Sequence, residues 1–445
     1  MTPSMRRGLV AGWIVAALLL SPGCQAGGGA QLPQDPLLRT LERKSGLIVY
    51  IGTDRNIYTI DQGGGNQKAV TSDAGTIDEK LHFYQFPTWS PDGQLLAFAK
   101  FIRTSQAVEQ ASIFTAAPDG TNPVEAFSSD EALPIYLYWS PDNQHVSFLT
   151  TTTSGSVVLQ LTPARGGDSQ VLDTGSPYYW SWAPDGQSIL IHAGGAAQQQ
   201  PQARLAFLNL AGGVTEEGLD LRPSAFQAPA WSPDGSQLLL AAETDDGQQA
   251  LLVTDPRGAV KNVLKTLEGS TAFGWSPDGK QVAYIAAGGD QTLTIGPLTV
   301  LDLQTPEEAK TTEQEAVLAF FWSPDNERIA YFVPLVVRPT AEPNQSGQPE
   351  TTILLRLYML DVKTGAAREV TTFYPTQEFL TTLQYFDQYQ RSATIWSPDS
   401  KNLVLAGFFR SSDANAALGV WVIAASGNLE PRFLTEGVLA YWSWK

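Results

Sequence analysis

The residues of this chain best suited to hold a ligand are aromatic and acidic, and they gather in two segments. His82, Phe83, Tyr84 and Phe86 follow Asp78 and Glu79 in one; Phe373, Tyr374, Phe379, Tyr385, Phe386 and Tyr389 mingle with Glu378 and Asp387 in the other. Aromatic side chains offer a large apolar face with a polar tip, and nearby acids add acceptors, so such a surface suits a protein or a carbohydrate. We take His82, Tyr84, Tyr374, Phe379, Tyr385, Asp387 and Tyr389 as binding candidates. The alternative is that these rings only pack the two segments onto the body of the protein. Catalytic groups are harder to find. The three histidines, His82, His145 and His192, are far apart in sequence and fall at different positions of the repeat described below, so no metal centre and no cofactor is expected. A serine hydrolase would need a G-x-S-x-G elbow and a later histidine; the elbow is absent and the last histidine is at 192, so peptidase action is not expected. Paired carboxylates for glycoside cleavage could come from any of 45 acids, with no motif to select two of them.

Charge and composition narrow the partners. With 28 basic and 45 acidic residues among 445, the net charge of −17 repels phosphate backbones, which excludes nucleic acid and bare anionic lipid. The single cysteine, Cys24, allows no internal disulfide and no cysteine-based zinc site. Hydrophobic residues at 43% can build a large core, and 39 Gly with 29 Pro favour many short strands joined by turns.

The first residues form an address. Arg6 and Arg7 precede an apolar run from Leu9 to Leu20, then Ser21, Pro22, Gly23 and Cys24. That run as a helix spans about 18 Å, short of a ~30 Å hydrocarbon core, so it is an export signal and not a membrane span. A cysteine after a small residue at the end of such a region resembles a bacterial lipobox, although Ser21 and Pro22 depart from the usual pattern. The resemblance implies that Cys24 is acylated and becomes the new N-terminus; the alternative is ordinary cleavage after Ala26 and secretion. Residues 1–24 are therefore read as a lipoprotein-type signal peptide, and residues 25–44, Gly-rich and patternless at their start, as a flexible tether.

Residues 45–445 form a repeat. The motif W-S-P-D-G begins at Trp89, Trp231 and Trp275, with variants at Trp139, Trp182, Trp322 and Trp396 and a truncated copy at Trp442. Spacings of 50, 43, 49, 44, 47, 74 and 46 residues match a propeller blade. Ser-Pro-Asp-Gly fits a type I turn, in which Pro fixes φ and Asp bonds its own backbone. Asn143 and Asn326 replace the Gly at a position wanting positive φ, and Ser400 is less suited to it. Apolar strands follow each turn. At the N-terminus three strands, from Leu47, Ile57 and Gln67, lack a Trp strand before them; at the C-terminus the strand ending at Trp442 has none after it. Together they complete one blade, a closure that leaves no free edges. The expected fold is all-β: one eight-bladed propeller of four-stranded blades, with seven blades if one repeat is degenerate. The recurring Trp and Asp residues are read as structural, and the Asp residues are too dispersed to supply the six to eight oxygens of a calcium site.

The motif resembles the TolB-type propeller repeats over about 400 residues. That resemblance implies fold, and function only loosely, because propellers host both binding modules and enzymes. TolB-type proteins carry an α/β domain before the propeller, and 25–44 is too short for one. Propellers of this repeat type also precede the hydrolase domain of the prolyl oligopeptidase family, whose motifs are missing here.

If the strands of each blade alternate in direction, the W-S-P-D-G turns share one face, called the bottom. The loops that exceed the repeat length, about 72–85, 338–350 and 373–392, then all lie on the top. The expected function is a non-catalytic, lipid-anchored binding propeller of the cell envelope, at the cell surface or in the periplasm. It would be monomeric, attached to a membrane only through Cys24, and would engage a protein or glycan through its top face. The alternative is a polysaccharide lyase or hydrolase at the mouth of the central channel.

Overall fold

The computed structural model describes residues 31–32, 44–152, 157–288, 293–337, 352–411 and 417–445. Cys24 and the rest of 1–24, most of the 25–44 segment and the 338–350 loop lie outside the described residues. Gln31 and Leu32 do not hang free: Leu32 pairs with Leu429, and the Gln31 amide donates to the carbonyls of Val370 and Gly427. Among the described residues no helix is long and apolar enough to cross a membrane.

The chain is a β-propeller built mostly of antiparallel strands. The inner strands are buried on both faces, by the sheets on either side, and so read largely as apolar runs: residues 238–242 are LLLAA and Thr271–Trp275 is wholly buried. Outermost strands such as Thr215–Gly218 and Val260–Thr266 are exposed and polar. Among the described residues seven hydrogen-bonded sheets result, five of them four-stranded. In one of the five, Ile48–Ile51 pairs with Leu439–Trp442, Ile48 opposite Trp442 and Ile51 opposite Leu439, so the two ends of the chain share a sheet as the repeat phase requires. The sheet ending its inner strand at Trp89 gains a fifth strand: residues Gly75–Ile77 fold back on Lys80–Trp89 through Asp78 and Glu79, both at positive φ. The seven-stranded sheet carries two repeats, those of Trp322 and Trp396.

The turns repeat with one chemistry. In six of the seven Trp-containing turns the Ser hydroxyl donates to the Asp two residues on, as Ser90 to Asp92 at 2.6 Å and Ser276 to Asp278 at 2.7 Å; at Ala183 the contact is lost. Three Trp indoles tie a repeat to the one before. Trp139, Trp275 and Trp396 donate to the carbonyls of Thr88, Ala230 and Phe321, each the residue just ahead of the preceding Trp.

Positions lacking Gly explain themselves. Asn143, Asn326 and Ser400 hold φ of 61°, 63° and 59°, and each side chain accepts a hydrogen bond from the backbone N–H of the preceding repeat's Asp: Asp92, Asp278 and Asp325. The left-handed conformation that made Ser400 look ill-suited is thus offset by a staple between neighbouring turns. Ser400→Ala is expected to cost about 1–2 kcal/mol, since Ser400 is buried and Asp325 N–H loses its acceptor. Ser400→Gly should cost less, because Gly relieves the backbone. Urea midpoints of the two variants check the order; equal losses would mean that the left-handed backbone at 400 carries no strain, and no loss in either would mean that the bond contributes nothing.

Candidate functional site

The 373–392 segment does not form a loop on the top face. Residues Phe373–Pro375 pass from one repeat of the seven-stranded sheet to the other and pair with Gly407–Phe409, taking the upper part of that repeat's innermost strand. The lower part is supplied by Thr394–Trp396, where Trp396 faces Leu403 and Val404 bonds Ile395. Residues 376–392 are therefore an excursion from the middle of an inner strand, and it leads into the axis. Gly407 sits where a Cβ would strike the Tyr374 carbonyl and the Phe373 ring, so the crossing needs a glycine.

The excursion folds into two short helices, α1 (Gln377–Gln384), capped by the Thr376 hydroxyl, and α2 (Phe386–Ser392). The innermost strands of a propeller present backbone groups with no further strand to pair with, and α2 supplies partners. The Gln388 side chain pairs with both backbone groups of Trp180, accepting from N–H at 3.2 Å and donating to C=O at 3.0 Å. Asp387 accepts from Ala228 N–H at 3.0 Å; Arg391 donates to the Ala228 and Pro229 carbonyls, and Gln390 to Phe273. Tyr136 donates to the Gln388 carbonyl and Thr88 to that of Ser392. Around these bonds Phe379 meets Phe332 and Phe373, and Phe386 meets Phe320 and Phe321. The channel is filled by its own chain.

This filling divides the axis into three hollows. Below α2, a 430 Å³ hollow is walled by Trp182, Trp231, Trp275 and Trp322 and the prolines of their turns. Above, a 230 Å³ cleft lies between α1 and the residues Gln85, Phe86, Tyr136 and Tyr441, with Glu378 paired to Arg55 at 2.6 Å beside it. Phe86 holds φ at 56°, an uncommon conformation for a bulky residue, where the strand bulges between Gln85 and Thr88. On the other side a 270 Å³ cleft is lined by Tyr179, Phe226, Ser270, Thr294, Gln384, Tyr385 and Asp387, among others.

The binding candidates separate accordingly. Phe379 and Asp387 are buried within the plug, and Tyr389 packs edge-on against Tyr136 at 4.9 Å while bordering the first cleft. Tyr385 is exposed in the second cleft, and Tyr374 is exposed at the strand crossing. His82 lies with Lys80, Glu109 and Asp130 on the outer extension of the Trp89 sheet, and Tyr84 is buried with its hydroxyl on Asp73. The first insertion thus builds sheet, and only Gln85 and Phe86 from its end meet the second. Tyr136, Tyr179, Phe226, Gln388 and Tyr441 were missed. Of these, Tyr136 and Tyr179 carried a signal in the aromatic runs Tyr136-Leu-Tyr-Trp139 and Tyr178-Tyr-Trp-Ser-Trp182, too many rings for a repeat that needs one.

Burial sets the electrostatics. It pushes the Asp387 carboxyl upward, against the opposing pull of Ala228 N–H and Arg391, and pushes Arg391 downward. Tyr136, Tyr179, Tyr389 and Tyr441 are raised by the same cause and remain neutral phenols. A carboxyl whose folded pKa lies above its ordinary 3.8 is most favourable below that value and loses stability as pH rises through the folded one. Asp387→Asn keeps an acceptor for Ala228 without the charge, so its stability relative to wild type should rise as pH is raised from about 4 toward neutrality. Parallel pH profiles of the melting temperature would contradict this. Among the described residues no group of three or more His, Cys, Asp or Glu could hold a metal ion.

Comparison with known proteins adds the fold's context. No family model matches the chain. It is 26% identical over 208 residues to a protein of Bacillus subtilis (strain 168) named "Uncharacterized peptidase YuxL", a match covering 45% of this chain and 29% of that protein. Similar solved structures include the dihydro-heme d1 dehydrogenase NirN (15% identity, 93% of this chain and 77% of that one, TM-score 0.51). TolB from Acinetobacter baumannii is another (15%, 82% and 83%, 0.36), as is an oligogalacturonate lyase in complex with manganese (13%, 90% and 98%, 0.47). Its structural neighbours thus include TolB and other β-propeller proteins. The expectation that the chain is not an enzyme is corrected by the same comparison. A protein named as a peptidase matches part of the chain in sequence, so the expectation of a non-catalytic protein is not retained.

Proposed function

We propose that this is an exported propeller, anchored in the cell envelope through a lipid on Cys24, whose top face binds an envelope protein or glycan. The observation that carries the reading is the excursion 376–392, which fills the axis and turns the top face into two clefts with exposed aromatic and hydroxyl groups. The apolar run ahead of Cys24 supports the extracytoplasmic location, and the acidic net charge supports a partner that is not polyanionic. The bluntest test is deletion of residues 374–390. That deletion would remove buried Phe379, Phe386 and Asp387 along with binding, so surface substitutions are the better test. Thr381→Trp and Gln384→Trp block the two clefts from the exposed side of α1, whereas Gln187→Trp adds the same ring to a bottom-face turn. Capture of ligand from solubilised envelope should fall for one or both top-face variants and persist for Gln187→Trp; the reverse pattern would overturn the reading.

A second reading, an enzyme acting on polysaccharide, is favoured by Asp387, a buried carboxyl with a raised pKa at the floor of a cleft that also holds two phenols. Each top cleft has one carboxylate in its lining, Glu378 in one and Asp387 in the other, so a hydrolytic pair within a single cleft is lacking. Elimination, which needs one proton-accepting group and one donor, fits the Asp387 cleft better. Release of unsaturated product from a polysaccharide, absent in Asp387→Asn, is the readout.

A further inference from the structure

Resting on the top-face reading, the second cleft allows a narrower statement. We propose that the cleft between the α1–α2 junction and the inner strands at Tyr179 and Thr271 is a subsite for one sugar ring of a neutral glycan.

Its walls are rings. Tyr179 and Phe226 stack at 4.2 Å and are only half-buried, so one wall of the cleft is a continuous aromatic surface. Tyr385 closes the other side and is 47% exposed, with Leu293 beside it at 45%. Leaving two such large apolar side chains in water forgoes the free energy of their burial, which a ligand's apolar face would recover. A pyranose ring has that character, one face of C–H groups and an edge of hydroxyls.

The polar groups match the edge. Neither the Tyr179 nor the Tyr385 hydroxyl has a hydrogen-bond partner among the described residues, and both border the cleft. Ser270 and Thr294 share one bond of 3.0 Å between them, which leaves acceptor capacity on each, and the Gln384 amide is exposed at the rim. All of these are neutral donors and acceptors. No Lys or Arg lines the cleft, and the one acid, Asp387, is committed to Ala228 N–H. An anionic sugar would meet a chain of net charge −17 with no cation to receive it, so the class is neutral and not uronic. A volume of 270 Å³ fits one ring with its first-shell water and is too small for a folded protein surface to enter. The neighbouring 230 Å³ cleft differs: Glu378 and Arg55 pair at its mouth and the Tyr441 hydroxyl is occupied by Thr382.

Isothermal titration of the purified full-length protein with neutral hexasaccharides of glucose, mannose and N-acetylglucosamine, and with trigalacturonate as the anionic control, tests this. At least one neutral oligosaccharide should bind saturably and trigalacturonate should not. Tyr385→Ala should weaken binding tenfold or more and Tyr179→Phe severalfold, while Thr381→Trp in the other cleft leaves it unchanged. Tyr385 is exposed, so its variant keeps the wild-type melting temperature; Gln384→Trp, a blocking substitution, serves as a second probe of the same cleft. No neutral glycan binding, or binding that survives both Tyr385→Ala and Gln384→Trp, overturns the subsite. If Thr381→Trp alone abolishes it, the subsite is wrong and the top-face reading stands; if binding ignores all three, both fall.

Discussion

Replacing Phe386 with Ala is expected to destabilise the protein by about 3–5 kcal/mol. The ring is 2% exposed, sits at the start of α2, and lies 5.0 Å from Phe320 and 6.1 Å from Phe321 on an innermost strand. It belongs to the largest apolar cluster, which also holds Phe379, Leu383, Trp396 and Tyr441. A surface loop resting on the propeller would give way around the lost ring at a cost of a few tenths of a kcal/mol. A plug bonded to inner strands on several sides cannot close over the cavity. The loss should appear as a lowered denaturant midpoint with an unchanged slope. A change below about 1 kcal/mol would mean that α2 is not part of the core.

The larger effect is expected at the seam. Removing residues 437–445 takes away Leu439, Ala440, Tyr441 and Trp442, all buried, and leaves the Ile48–Ile51 edge without its partner strand. Truncating one buried Trp costs about 3–5 kcal/mol, and a domain's whole stability is about 5–15, so losing four core residues and a strand should abolish the folded monomer. The open edge is apolar and adds a route to aggregation. Size-exclusion chromatography and circular dichroism read the outcome directly. A monomeric, cooperatively melting truncated protein would contradict closure by the chain ends.

Much of the architecture was legible in the sequence because the repeat is written in residues with fixed local roles. Ser, Pro, Asp and Gly specify a turn through dihedral preferences and short-range bonds, and Trp marks the strand end before it. The closing sheet followed from phase alone: three strands at one end, one at the other. The central plug was not legible. From Phe373 to Tyr389 the chain shows an excess of aromatic residues and a length beyond the repeat, and both are equally compatible with a loop lying outside. Only register distinguishes them: residues 373–375 and 395–396 both pair with the strand Asn402–Phe409, which places everything between them on the axis. That pairing is non-local, and no pattern within the segment reports it. The same reason hid Gln388 and Arg391. Their targets are backbone groups of Trp180, Ala228 and Pro229, and a backbone acceptor has no sequence signature. Asn143, Asn326 and Ser400 were visible as departures from Gly, but their bonds to the preceding turn needed the ring to bring repeats side by side.

The central claim is that the axis is closed by α1 and α2 as integral parts of the fold, so that ligands meet the top face and not an open channel. Hydrogen exchange of the backbone amides from Phe379 to Ser392 tests it most directly. The account expects these amides to exchange as slowly as those of the inner strand Tyr178–Trp182, through global unfolding alone. Exchange at the rate of an exposed loop, with the inner strands still protected, would contradict it.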